Sequence, residues 1–235
     1  MTEPGPLLAS GRDSDIFEYG PGRVLRRTRD GRSIAHEAQL MEWVRGRGYP
    51  VPAVHDVLED GRALVLERIE GPSMIDAIKS KPWTLVRCAH VLAGLHKQLH
   101  ELEAPEWLHR FEGDVDGRAI VHLDLHPLNV MMAANGPVVI DWANAKVAHP
   151  EVDVADTWLI IASAGVADQG LIIRILGQMR RVLVESFVSQ FDRASIVPYL
   201  RGGAERRAQD RNMTEAEIAA MWRLVEREEA KAHRS

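Results

Sequence analysis

The sequence predicts an α+β protein built in two unequal parts. Three observations carry this. Before residue 70, short apolar runs alternate with turn residues at strand spacing. After residue 71, apolar positions recur at three and four, the spacing of helices. Between two apolar triplets, the stretch "IVHLDLHPLNVMM" at 120–132 holds two histidines, an aspartate and an asparagine, which buried strands alone do not need.

Residues 7 to 28, "LLASGRDSDIFEYGPGRVLRRT", read as three short strands broken at "GRDSD" and "YGPG", where Gly20, Pro21 and Gly22 supply a turn. In "SIAHEAQLMEWVRGRG", Ser33 offers a helix cap and Ile34, Ala38, Leu40, Met41 and Val44 form an apolar stripe. Gly46, Gly48, Pro50 and Pro52 end that helix. "AVHDVLEDGRALVLERI" is a hairpin turning at Asp60–Gly61. Ser73 and Asp76 fit a capping box for a short helix. From Thr84 to His100, Leu85, Cys88, Leu92, Leu95 and Leu99 mark one long amphipathic helix. "NGP" at 135–137 turns the chain between Met131 and Val139. From Val152 onward the chain reads as helical. Within it, "TWLIIASAGVA" at 157–167 is a buried helix too short to span a bilayer, and Thr214 with Glu217 caps the last helix. The expected division is an N-terminal lobe over 1–70, a hinge near Glu67 to Gly71, and a C-terminal lobe over 71–235, together one functional unit.

Composition narrows the functional classes. The 235 residues are 46% hydrophobic and 27% charged, enough apolar content for a real core. The formal net charge of −5 argues against nucleic acid or an anionic membrane as partner. Cys88 is the single cysteine, so no internal disulfide forms. The start, "MTEPGPLLASGRD", lacks the basic and apolar regions of a signal peptide. These features predict a reduced, cytoplasmic protein. They set no oligomeric state.

The chemistry concentrates on three side chains. Asp124 and Asn129 lie five apart in a loop leaving a strand, and Asp141 ends the next strand, "PVVID". A hairpin through Asn135–Gly136 returns Asp141 beside Asn129. A carboxylate and an amide oxygen then converge, the hard and sparse ligand set that Mg²⁺ takes when phosphates and waters complete its shell. Asp124 stands available to accept a proton from an attacking hydroxyl.

"HLDLHPLNV" followed by "VIDWANA" resembles the catalytic loop and metal-binding segment of the aminoglycoside phosphotransferase family, which has a protein-kinase-like fold. The family form is His-Gly-Asp-x-His-x-x-Asn, then Ile-Asp-Trp or Ile-Asp-Phe; Leu123 stands where Gly or Arg is usual. The resemblance implies that Asp124 is the catalytic aspartate and that Asn129 and Asp141 hold magnesium. His122 braces the loop from inside, and His126 either supports the loop or lines the phosphate site. In "HPEVDVADTWL", Asp153 anchors the catalytic loop. "SGRDSDIFEYG" resembles the nucleotide-covering loop, with fewer glycines than protein kinases have. "VLRRTR" resembles the third strand, whose cation meets the nucleotide phosphates; Arg26 is the candidate and Arg27 the out-of-register alternative. Glu37 fits the helix glutamate that pairs with that cation. "LVLERIEGPSM" fits the hinge, where the backbone of Glu67, Arg68 and Ile69 would meet adenine.

Implied with these residues are ATP (or GTP), Mg²⁺ and a small hydroxyl-bearing substrate, hence a phosphotransferase with an alcohol acceptor. A small protein kinase is disfavoured because no "APE"-like segment follows Asp141. A nucleotide-binding pseudoenzyme or regulatory module is the alternative, motivated by arginine in place of lysine. His96 and His100 lie four apart, but no glutamate follows His96 and no third ligand is evident. They read as helix-surface residues. Trp83, Trp107, Trp142, Trp158 and Trp222 read as packing residues rather than a substrate cage.

Overall fold

The computed structural model describes residues 3–11, 13–164, 171–211 and 213–234. In chain order its elements begin with β1 (Leu7–Ser10), β2 (Ser14–Glu18), β3 (Arg23–Thr28), α1 (Ala35–Arg45), β4 (Val54–Leu58) and β5 (Ala63–Glu67). There follow α2 (Met74–Ser80), α3 (Leu85–His100), β6 (Ala119–Val121), β7 (Val130–Ala133), β8 (Gly136–Val139) and β9 (Lys146–Ala148). The chain closes with α4 (Pro150–Ser163), α5 (Leu171–Val188), α6 (Arg193–Arg207) and α7 (Glu215–Ala232). They divide into two compact units. One is Met1–Ser73 with Asn129–Asn144, and the other is Met74–Leu128 with Ala145–Ser235.

The first unit is built on a five-stranded antiparallel sheet of order β1-β2-β3-β5-β4. The period-2 alternation of strands gives the sheet two distinct faces. Leu25, Ala63 and Val65 bury on one face with Phe17, Tyr19 and Leu58 packed around them. Arg26, paired in register with Ile16 and Leu64, points to the other. The β4–β5 connection is longer than the predicted two-residue turn. Glu59, Asp60 and Gly61 all have positive φ (54°, 55° and 86°) and form a 3-10 turn. Ser33 sits one residue outside the N-cap of α1, where its Oγ accepts the Ala35 amide at 3.4 Å. The β7–β8 hairpin runs in register from Val130↔Val139 to Ala133↔Gly136. It is tied to its unit by the Val139 amide on the Pro50 carbonyl (2.8 Å) and by Tyr49 set edge-on to Trp142.

The second unit is mainly helical, with a two-stranded β6–β9 ribbon pairing Ala119↔Ala148. The sequence reading missed β9 because three residues are too few to show a period. The whole is the α+β architecture expected from the sequence. α4 is buried on nearly every side, with Trp158 inaccessible. Asp153, Asp156 and Thr157 lie in the same buried run. A helix apolar all round with carboxylates inside it must find partners for each of them. Residues 157–163 belong to α4, whereas 165–167 of the predicted buried helix lie outside the described residues. The predicted capping box of α7 is present, with Thr214 Oγ1 accepting from the Glu217 amide and Glu217 accepting from the Thr214 amide. Among the described residues no helix is long and apolar enough to cross a membrane.

Two sequence expectations are corrected. Trp83 is 79% exposed, while Trp142 and Trp158 are buried. Trp83 sits in a 3-10 turn where no apolar face covers it. His96 and His100 are not surface residues: His96 is fully buried and the His100 side chain is 7% exposed. α3 is covered along this stripe by α4 and α5. His96 lies against Phe187, with Nε2 3.0 Å from Thr157 Oγ1 and Nδ1 2.9 Å from the Leu92 carbonyl. Thr157 in turn donates to the Leu125 carbonyl (2.8 Å).

Gly71 closes β5 into the segment leading to α2. Its φ is 143°, and a Cβ there would lie 2.3 Å from the Met132 carbonyl oxygen. Neither the dihedral nor the space admits a side chain. Gly71→Ala is expected to lower stability by about 2 kcal/mol or more, read as a shift in the urea midpoint. Gly94→Ala, at a helical position with nothing within 4 Å, serves as the contrast and is expected to raise stability by about 0.5–1 kcal/mol.

Candidate active site

In the first unit, Arg26 is the centre of a chain of charges. Its Nε donates to Ser14 Oγ (3.0 Å), Nη1 to Glu37 Oε2 (2.7 Å) and Nη2 to Asp141 Oδ1 (3.1 Å). The Arg26 side chain is 10% exposed and that of Glu37 only 1%, whereas Asp141 is 47% exposed. Burial pushes the Glu37 carboxyl above its ordinary range, and Arg26 only partly offsets this. Strand alternation settles the geometry of the two arginines. Arg27 lies on the opposite face, over the Phe17 ring and paired with Glu59.

The β7–β8 hairpin carries Asn129 and Asp141 at its open end, where the Ile140 amide donates to the Asn129 carbonyl (3.0 Å). Asp141 has φ 64°, a left-handed conformation that turns the chain out of the hairpin. A carboxylate and an amide oxygen at one hairpin end suit a hard cation that keeps most of its shell for phosphate and water. Among the described residues no cluster of three or more His, Cys, Asp or Glu side chains has metal-binding geometry. Glu67 ends β5, and Arg68 and Ile69 follow it in the same unit. The amides of Glu67 and Arg68 donate to the carbonyls of Ala53 and Gly22, both at 2.9 Å.

In the second unit, the loop carrying Asp124 is held from beneath by Asp153. That carboxylate is fully buried and accepts the His122 amide (3.1 Å) and the Leu123 amide (2.7 Å). His100 Nε2 lies 3.0 Å from it and, facing an ionised carboxylate, carries the proton. Burial alone would raise the Asp153 pKa. The His100 hydrogen bond and the nearby His96, His100 and His122 rings outweigh it and hold the carboxyl well below the usual range.

The amide of Leu123 reaches Asp153 with φ at 62°. A left-handed leucine costs on the order of 1–2 kcal/mol. Its side chain is buried against Val121, Ala148 and Val152, which offsets that cost. His122 is fully buried. His126 is turned toward the carboxylate of Asp124 (Nε2–Oδ1 3.5 Å), and its Nδ1 accepts the Leu128 amide (3.3 Å). Burial would raise the Asp124 pKa; His126, His122 and Arg207 outweigh it and hold the group ionised below its ordinary value.

Sequence reasoning missed His100 and Arg207. The signal for His100 was present, since it falls on the buried stripe of α3 one turn after His96. Arg207, at the end of α6, sits 3.9 Å from Asp124 Oδ1 and left no local signature.

A model described as the phosphotransferase enzyme family matches residues 6–119 and 114–184. No curated protein matches the chain. Solved structures share the fold. An amicoumacin kinase in complex with AMP-PNP, Ca²⁺ and amicoumacin superposes with a TM-score of 0.60 at 14% identity, covering 96% of this chain and 88% of that one. A choline/ethanolamine kinase family protein from Mesorhizobium loti gives 0.59 at 16% identity, covering 96% and 87%. An aminoglycoside-3'-phosphotransferase of type VIII gives 0.54 at 19%, covering 97% and 92%. The fold is therefore that of these kinases, the protein-kinase-like fold expected from the sequence.

Removing one partner of a buried ion pair strands the other. Arg26→Met is expected to cost about 3 kcal/mol in urea unfolding, most of it recovered in Arg26→Met/Glu37→Leu. Arg27→Ala costs less than about 1 kcal/mol. Equal losses at the two arginines would contradict the assigned faces.

Asp153 has its folded pKa depressed, so its charge stabilises the fold above the unfolded value and that stability is lost as pH falls through and below roughly 3.9. Asp153→Asn is expected to be less stable at pH 7 by about 2–4 kcal/mol and to lose less than the wild type on acidification. Parallel stability–pH curves for the two proteins would refute this.

Proposed function

The chain belongs to the phosphotransferase enzyme family, and we propose that it moves the γ-phosphoryl group of ATP (or GTP) to a hydroxyl of a small molecule. The Glu37–Arg26–Asp141 chain is the observation that carries the proposal. A nucleotide's triphosphate needs a fixed cation and a metal-binding carboxylate side by side. Glu37 is buried at no gain to the sheet except that it holds Arg26 beside Asp141.

The roles follow. Adenine meets the hinge backbone at Glu67, Arg68 and Ile69. Because the Glu67 and Arg68 amides are already donated, the carbonyls and the Ile69 amide are the groups suited to the base's donor and acceptor edge. Arg26 contacts the phosphates. Asn129 and Asp141 hold Mg²⁺, which when bound neutralises charge on the phosphate oxygens. Asp124 accepts the hydrogen bond of the acceptor hydroxyl, aligns it and takes its proton late in the transfer. His126 and the Asp153-anchored backbone hold Asp124 in place. Catalysis is then positioning plus charge neutralisation.

A small acceptor is favoured over a peptide because the chain passes from Asp141 through β9 directly into α4, with no long segment to hold an extended substrate. The amicoumacin and choline/ethanolamine kinases of the same fold support that choice.

Asp124→Asn is expected to lower kcat by roughly 10²- to 10⁴-fold while nucleotide affinity, followed by calorimetry, stays near wild type. Asp141→Ala is expected to abolish Mg²⁺-dependent turnover with the fold retained at some loss of stability, because Glu37 still pairs the buried Arg26. Turnover is read by coupled ADP release against amino alcohols, sugars, aminoglycosides and macrolides. Nucleotide binding with no acceptor found, and residual ATP hydrolysis indifferent to Asp124→Asn, would instead indicate a regulatory nucleotide-binding module. No nucleotide binding at all would end the phosphotransferase reading.

A further inference from the structure

α6 carries four arginines, and three are spent. Arg193 donates to Glu185 (2.7 Å), Arg201 to Glu229 through two nitrogens (2.9 and 2.6 Å), and Arg206 to Asp156 (2.9 Å) while lying over the Phe111 ring. Arg207 differs. Its side chain is only 21% exposed, yet among the described residues its one ion pair is the 3.9 Å approach to Asp124, too long for a hydrogen bond. Its Nε is buried with no hydrogen-bond partner among the described residues. A mostly buried guanidinium with an unfilled donor is costly unless something fills it.

The position of that donor narrows the candidates. A hydroxyl using Asp124 as base sits roughly 2.6–3.2 Å from its carboxylate. Arg207 lies beside the same carboxylate oxygen, so it meets whatever group the acceptor carries next to the reacting hydroxyl. Guanidinium matches an oxyanion through paired N–H donors and repels ammonium. The second unit also has a cleft of about 330 Å³, lined among others by Phe111, Asp114, His149, Tyr199 and Arg206. Its cation Arg206 is held by Asp156 and its Asp114 accepts from His149 and Gly117, while Glu112 and Asp116 add only negative charge. It offers an oxyanion less unspent positive charge than Arg207 does.

We propose that Arg207 is a specificity-determining residue that pairs with an oxyanion, carboxylate or phosphate, carried by the acceptor next to its reacting hydroxyl. The acceptor is then a short hydroxy acid or a hydroxylated phosphate ester, not a polyamine or a simple amino alcohol. This rests on Asp124 being the base in the proposed phosphotransfer.

The test has a binding arm and a turnover arm, both on the full chain. With AMP-PNP and Mg²⁺ present, β-hydroxybutyrate, its amide, glycerol phosphate, glycerol and ethanolamine are titrated by calorimetry into the wild type, Arg207→Gln and Arg207→Lys. The wild type is expected to bind at least one anionic ligand about 10- to 100-fold more tightly than its neutral counterpart. The two anions separate carboxylate from phosphate. Arg207→Gln is expected to erase the preference, and Arg207→Lys, which keeps the charge if the glutamine variant folds poorly, to retain part of it.

Tighter binding of ethanolamine, no binding of either anion, or a preference untouched by both variants would overturn the proposal. ADP release with ATP then separates the two claims. Arg207-dependent anion binding without phosphoryl transfer would leave the oxyanion site and remove the phosphotransferase reading. Transfer to neutral or cationic acceptors, with kcat lowered equally for all of them in Arg207→Gln, would leave the phosphotransferase and remove the oxyanion site.

Discussion

A carboxylate with no exposed surface persists as an ion only where donors surround it, and Asp153 is such a group. It draws two consecutive backbone amides, those of His122 and Leu123, and the imidazole of His100 onto one side chain in the first turn of α4. The loop that carries Asp124 is therefore not free to choose its backbone. Leu123 takes a left-handed conformation because its amide must point at Asp153. The loop is tied a second time through Thr157 to the Leu125 carbonyl, so the residues flanking Asp124 on both sides are bound to α4. Without the buried charge, neither the strain at Leu123 nor the turn of the His100 ring toward α4 would have a reason.

The first unit solves a similar problem with the opposite sign at its centre. There a guanidinium is buried, and Ser14, Glu37 and Asp141 take one donor each. Three elements, β2, α1 and the end of the β7–β8 hairpin, meet at Arg26. A lysine ammonium also has three donors, but not in a planar fork that can address three separated acceptors. Arginine at this position is thus suited to join the helix glutamate and the hairpin aspartate at once. The half-exposed state of Asp141 leaves part of that carboxylate available.

The two units treat charge in complementary ways. The first presents a cation with an adjoining carboxylate; the second presents the carboxylate of Asp124 with cationic neighbours, His126 when protonated and Arg207. In each unit a buried carboxylate holds the exposed one's surroundings in place. Glu37 holds Arg26, and Asp153 holds the backbone before Asp124. Such supporting pairs keep the groups they hold within a narrow range of positions.

Much of this was legible in the sequence by itself. The three N-terminal strands, α1, α3, the hairpin at Asn135–Gly136 and the cap at Thr214 follow from local rules: side-chain period, turn chemistry and capping. That Asn129 and Asp141 share a hairpin end was equally local, because a hairpin of known length determines which residues meet there.

What only the tertiary structure decided was the fate of charges whose partners lie far along the chain. Arg26 rather than Arg27 joins Glu37 and Asp141, because pairing with β2 and β5 sets which face each arginine takes. His96 and His100 are core residues because α4 and α5 cover α3, and nothing within α3 announces a covering helix. Arg207 comes within 3.9 Å of Asp124 although 83 positions separate them in the chain. Periodicity and capping act over a few residues, whereas the cost of an unpaired buried charge is settled only when distant elements have packed.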